Sequence, residues 1–138
     1  IGKGDSLGQL QQTARENRVE EHVVFLGFMS NPLPWTKRCS LFVQSSHFEG
    51  LPTTMLEALL LDKMIVASDC PTGPKEILNH GKAGILVPMC DAGALAKAMH
   101  EALTDRPLQE RIAEGRAEHS RQFTFEVTGQ KFMSLLDK

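Results

Sequence analysis

Apolar residues enter this chain in two rhythms. In residues 5–18, Leu7, Leu10, Ala14 and Arg18 fall three or four apart behind Ser6, which predicts a helix with one apolar face and Ser6 as its N-cap. Val23-Val24-Phe25-Leu26 is instead a continuous β-branched and aromatic run closed by Gly27, the signature of a strand covered on both faces. Leu41-Phe42-Val43, Met64-Ile65-Val66-Ala67 and Gly84-Ile85-Leu86-Val87 repeat that signature. Helical segments lie between them. Asn31-Pro32-Leu33-Pro34-Trp35 opens a short one, because prolines suit a first turn only, and Trp35 is expected to pack as core. Residues 53–61 place Leu56, Leu59 and Leu60 on one face, and residues 74–79 form a further short helix. Behind Asp91, a cap, Leu95, Ala98, Met99, Ala102 and Leu103 recur at helical spacing. With helices near 107–121 and 126–136, the part from about 91 to 138 is expected to be helical.

Strands that alternate with helices in short units imply an α/β fold: a parallel sheet with helices on both faces, because parallel neighbours need crossovers. In such sheets ligands bind beyond the carboxyl ends of the strands. The loops after Leu26, Gln44 and Ala67 are therefore the places to look.

The composition narrows the partners. With 138 residues the chain is one domain or part of one, and 41% hydrophobic residues exclude a disordered tail. Fifteen Lys and Arg against 17 Asp and Glu leave a net charge of −2, so no basic excess exists to hold a phosphate backbone and no nucleic-acid partner is expected. Ala58-Leu59-Leu60-Leu61 is cut by Asp62 and Lys63, far short of the roughly 18 apolar residues of a membrane span. No signal peptide is expected either. Cys39, Cys70 and Cys90 are widely spaced without a C-x-x-C pair and read as reduced thiols in a cytosolic compartment.

The stretch from Ser45 to Glu57 combines a strand end, a glycine turn and a helix start. The first amides of that helix lack intrahelical partners and the macrodipole adds about half a positive charge, so a diphosphate can be held there without a Lys or Arg. Gly50 lets backbone approach the ligand, Leu51 and Pro52 lead into the helix, and Thr53 and Thr54 add hydroxyl donors. Glu57, a turn and a half along, has two oxygens for a pair of vicinal hydroxyls. Glu49, before the helix, would face the other end of the ligand. The plainer alternative makes Glu49 a solvated loop residue and Glu57 a surface position, since two such glutamates arise readily by chance.

Here the sequence resembles a known group. Glu49-Gly50, seven residues between Glu49 and Glu57, Glu57-Ala58, Ile65-Val66-Ala67-Ser68, Gly73 with Glu76, and Gly84-Ile85-Leu86-Val87-Pro88 are similar to the C-terminal, donor-binding domain of retaining GT-B glycosyltransferases with the E-x7-E motif. The resemblance covers Gly2 to about Leu103. It implies a Rossmann-like domain in which Glu49 meets hydroxyls of the transferred sugar, the Leu51 to Thr54 segment meets the diphosphate, and Glu57 meets the nucleotide ribose. Gly27 and Phe28 would lie near the base. The segment from Asp69 to Leu78 is similar to bacterial enzymes that build surface polysaccharide and lipopolysaccharide, mostly from UDP-sugars. The implied activity is retaining transfer of a hexosyl or N-acetylhexosaminyl group to a glycan or lipid-linked acceptor, in the cytoplasm and at the inner face of the plasma membrane. No metal or other cofactor is expected. The family's Arg and Lys for the diphosphate, from a loop after the first strand, have no match here, and Lys3 is not one of them. By the same resemblance Ile1 marks the end of a second strand. A domain lacking its central strands, with an acceptor domain missing upstream, is thus expected, and residues 23–26 and 41–43 would be left unpaired or paired unusually.

Other residues keep two readings. His47 touches the sugar or is solvated; Lys75 faces phosphate or is surface charge. Gly2-Lys3-Gly4 is half a phosphate loop or a simple turn, and it lacks the third glycine of a dinucleotide fingerprint. His22, His80, His100 and His119 show no metal spacing. The charge mixture of residues 110–121 reads as a solvated helix face. A non-catalytic module that binds nucleotide-sugars is the rival to a transferase.

Overall fold

The computed structural model describes residues 1–136, so residues 137 and 138 at the end of the expected helical part lie outside the description. The chain divides into two compact units, Ile1–Pro34 and Trp35–Lys138.

In the first unit, α1 spans Leu7–Glu16 and a short 3-10 turn follows at Glu20–His22. Ser6 occupies the N-cap position without a side-chain capping bond; its backbone, at φ −83° and ψ 2°, is not in the extended conformation that aims a cap side chain at the helix amides. Leu7 and Leu10 are exposed, and Ala14 is the one buried residue of 1–34. The strand expected at residues 23–26 is absent. Val24 is 76% exposed, and just after this stretch Gly27 O accepts from Gly2 N–H at 2.8 Å. An apolar run becomes a strand only when a neighbouring strand accepts its ladder, and none does here.

In the second unit the predicted alternation holds. Its elements are α2 at Leu33–Arg38, beginning just before the unit boundary, then β1 at Phe42–Gln44, α3 at Thr53–Leu60, β2 at Ile65–Ser68, α4 at Pro74–Ile77 and β3 at Ile85–Val87. The strands are parallel in the order β1-β2-β3, with Phe42 opposite Ile65 and Val66 opposite Ile85. The unusual pairing of residues 41–43 is therefore not seen; β1 lies beside β2. Among the described residues three α-helices follow: α5 at Ala92–Thr104, α6 at Arg106–Ser120 and α7 at Phe125–Leu136. Asp91 caps α5 as expected, accepting from Ala94 N–H at 2.8 Å.

Alternation along β2 explains why both sheet faces are covered. Ile65 and Ala67 join Met55, Ala58, Leu59, Ile77 and Leu78 on the α3 and α4 side, whereas Val66 joins Val87, Ala98 and Ala102 on the α5 side. Each fully buried Met, Leu or Ile contributes about 1.5–3 kcal/mol, so this double layer stabilises the second unit. The buried face of α3 is Met55, Ala58 and Leu59, while Leu60 turns to the surface. Trp35 is no core residue. Helix α2 buries none of its residues and the indole is 48% exposed.

Helix α6 corrects the reading of a solvated face. Ile112, Arg116 and His119 are buried, spaced four and three apart on one stripe. Arg116 donates from Nε to Asp62 Oδ1 at 2.7 Å, and His119 Nε2 lies 3.0 Å from Glu76 O. Gly115 packs so closely that a Cβ there would overlap the Lys82 carbonyl oxygen. Gly115→Ala should therefore destabilise the protein by up to about 2 kcal/mol, overpacking of about 1–3 kcal/mol being offset in part by the helix-propensity gain of about 1 kcal/mol. Urea unfolding reads this out; an alanine variant as stable as the parent would show that α6 shifts freely on the Lys82 loop.

Candidate functional site

The site grows from the carboxyl ends of the three parallel strands. β1 ends at Gln44, β2 at Ser68 and β3 at Val87, and the loops that follow are tied to one another. Asp69 N–H extends the ladder to Val87 O (2.8 Å). Thr72 Oγ1 donates to Glu49 O at 2.6 Å, and the Cys70 thiol donates to Ser46 O at 3.1 Å. Burial, and next the negative charge of Glu49, push the Cys70 thiol up; its backbone hydrogen bond lowers it in part and Asp69 adds to the rise. It therefore stays protonated, as a donor to Ser46 O must. Between the first and third loops, Cys90 Sγ lies 3.3 Å from His47 Nδ1.

Gly73 is the hinge of this arrangement. At φ +92° and ψ −72° its backbone adopts a conformation open to glycine, and a Cβ there would overlap Gly50 O and the Pro52 ring. Its N–H donates to Glu76 Oε2 at 2.5 Å. The middle loop is thus pressed against the start of the Gly50 loop.

Of the sequence-selected residues, Glu49, Gly50, Leu51, Pro52, Thr53, Thr54, Glu57 and Gly73 all belong to this second unit. Pro52 stands at the N-cap of α3, and its carbonyl accepts from Met55 and Leu56 N–H, each at 3.1 Å. The N–H groups of Gly50, Leu51, Thr53 and Thr54 make no hydrogen bond among the described residues. Together with the helix dipole they form a small positive field. Glu49 is half-buried, and its Oε1 accepts from Gln44 Nε2 at 2.5 Å and Ser46 Oγ at 2.6 Å; Oε2 has no partner among the described residues. Glu57 is also half-buried, and its carboxylate makes no hydrogen bond or ion pair among them. Glu49 is thus held by two donors and is not a freely solvated loop residue, while Glu57 is a partly exposed helical position.

Lys75 pairs with Asp69 Oδ2 at 3.1 Å, which directs its charge to that carboxylate. Gly27 and Phe28 belong to the first unit, where Gly27 is at φ +66° and Phe28 is exposed; with Ile1, Leu7, Leu10 and Val24 they line a groove of about 460 Å³. Gln44 and Ser46 are the partners that sequence reasoning missed. A glutamine closing an otherwise apolar strand run was the available signal.

The Glycosyl transferases group 1 family matches residues 1–119. The chain belongs to this family. Among group 1 relatives, an uncharacterized glycosyltransferase of Methanocaldococcus jannaschii is 29% identical over 99% of this chain and 41% of its own length. The lipopolysaccharide core biosynthesis glycosyltransferase LpsE of Rhizobium meliloti is 28% identical over 99% of this chain and 40% of its own. In structure, Anabaena Alr3699/HepE in complex with UDP superposes with a TM-score of 0.85 at 26% identity, covering 96% of this chain and 37% of that one. The chain thus spans about two fifths of the length of these group 1 proteins. The structures it resembles are GT-B glycosyltransferases, and the Rossmann-like α/β assignment agrees with the parallel sheet covered on both faces.

Proposed function

We propose that this chain forms the donor-binding part of a glycosyltransferase that takes a UDP-sugar and transfers a hexosyl or N-acetylhexosaminyl group, with retention, to a glycan or lipid-linked acceptor. The observation that carries the reading is the juxtaposition at the start of α3: four unbonded amides, a carboxylate with one free oxygen before them, and an unpartnered carboxylate after them. The amides of Gly50, Leu51, Thr53 and Thr54 take the diphosphate, Glu57 takes the ribose hydroxyls and Glu49 takes hydroxyls of the sugar. Departure of the nucleoside diphosphate builds negative charge on its oxygens. Amides fixed at that place stabilise the departing group more than the bound substrate, which is what lowers a barrier. The reading includes no metal or other cofactor.

UDP as the nucleotide is supported by the HepE complexes, solved with UDP, with UDP and glucose, and with UDP-glucose. A surface-glycan acceptor is supported by the relative LpsE, a lipopolysaccharide core biosynthesis glycosyltransferase. Acceptor recognition falls to parts of the full-length protein outside this chain. The three free cysteines support a reducing, cytoplasmic setting, with the acceptor met at the inner face of the membrane.

Calorimetric titration of the full-length protein with UDP, GDP and ADP tests the reading. UDP should bind best, and Glu57→Ala should weaken it about 10- to 150-fold, the range for losing a hydrogen bond to a charged group. Unchanged UDP affinity in the variant would remove Glu57 from the ribose. UDP binding without release of UDP from any UDP-sugar would favour the non-catalytic module.

A further inference from the structure

We propose that Gln44 is a positioning residue for Glu49, pinning one carboxylate oxygen so that the other is presented to the donor sugar; this rests on the reading that Glu49 meets the sugar. Two donors converge on the same oxygen. Gln44 Nε2 and Ser46 Oγ reach Glu49 Oε1 at 2.5 and 2.6 Å, and nothing among the described residues engages Oε2. A carboxylate turns easily about its last torsion, which has a broad, two-fold profile. Fixing Oε1 from two sides removes that freedom and sets the direction of Oε2.

The far end of Gln44 shows that its amide does more than fill space. Its Oε1 is buried with no hydrogen-bond partner among the described residues. A buried acceptor without a partner weakens a fold. Turning the amide over would not relieve it, because Oε1 would then face a carboxylate oxygen, acceptor against acceptor. The amide therefore has one workable orientation, which serves Glu49 and leaves its own oxygen bare. Its backbone is equally fixed: Gln44 closes β1 in register with Ala67 of β2. A purely structural residue here would be an apolar one of the same length, which buries well without the bare oxygen. The glutamine gives up stability for a directed bond to Glu49.

That trade sets the test. Gln44→Met preserves length and Gln44→Leu preserves bulk; both remove the donor and the bare acceptor together. In the full-length protein, three quantities are read for parent and variants: UDP affinity by calorimetry, UDP release from UDP-glucose, UDP-galactose, UDP-N-acetylglucosamine and UDP-N-acetylgalactosamine, and the thermal midpoint. The expected result is a loss of about tenfold in kcat with the preferred UDP-sugar, the share of one directed hydrogen bond to a charged group, with KM and UDP affinity within about twofold and a midpoint equal to or above the parent's. A merely structural role would move the midpoint and UDP affinity along with kcat. Unchanged kcat in either folded variant, or a fall in kcat matched by equal loss of UDP affinity and a lower midpoint, overturns the proposal. Failure of the parent itself to bind UDP is a different result, since it sinks the nucleotide-sugar reading. A parent that binds UDP and releases none from the four sugars overturns the role of Gln44 as well, there being no turnover to serve.

Discussion

Turnover of the preferred UDP-sugar falls about 10²- to 10³-fold in Glu49→Ala, the effect of deleting one preorganised polar group at a reacting centre, while UDP affinity changes less than about threefold. The asymmetry follows from where the side chain stands. Glu49 precedes the unbonded amides at the start of α3 and Glu57 follows them, and the proposed reading gives Glu49 to the part of the donor that UDP lacks. Its removal leaves Gln44 Nε2 and Ser46 Oγ without their shared acceptor, yet Glu49 O still accepts from Thr72, and the loop keeps its shape through that backbone bond. The measurement is UDP release under saturating UDP-sugar beside calorimetric titration with UDP alone, in the full-length protein. Equal losses in both would place Glu49 on the nucleotide side and end its assignment to the sugar.

Gly73→Ala is expected to act on stability and binding together. The alanine must hold a conformation that costs a non-glycine residue about 1–3 kcal/mol. Its methyl would in addition overlap Gly50 O and the Pro52 ring, both parts of the loop that leads into α3. The sum is about 3 kcal/mol or more, near the top of what single substitutions do. Relief comes by pushing the Gly50 loop away, which misplaces the amides of Leu51, Thr53 and Thr54, so UDP affinity falls at least about tenfold. Urea unfolding and UDP titration on one preparation test this. A variant with parental stability and affinity would mean that the two loops do not press together in solution.

The sheet was legible because residues 41–43, 64–67 and 84–87 are short apolar runs punctuated by glycine, proline or polar residues, and the central run found helices to bury against on both faces. The run at 23–26 carries the same signature and forms no strand, since a ladder needs a neighbour that local pattern cannot supply. Trp35 misled for a similar reason: an indole signals core only where another layer covers it, and α2 buries nothing. At the site, Glu49, Glu57 and the amides of α3 were readable from a helix start behind a glycine. The contribution of α6 was not. Gly115, Arg116 and His119 look like a polar helix surface, and they became interior because Lys82, Asp62 and Glu76, more than 30 residues earlier, fold back to meet them.

The ties among the three loops also bear on the entropy of binding. A free loop of this length would lose about 1–2 kcal/mol per residue in backbone freedom when a ligand ordered it. Here the Cys70 bond to Ser46, the Thr72 bond to Glu49 and the contact of Gly73 with Gly50 have already withdrawn that freedom during folding. On the proposed reading, a donor arriving at α3 would meet amides in place, so more of its contact energy would appear as affinity.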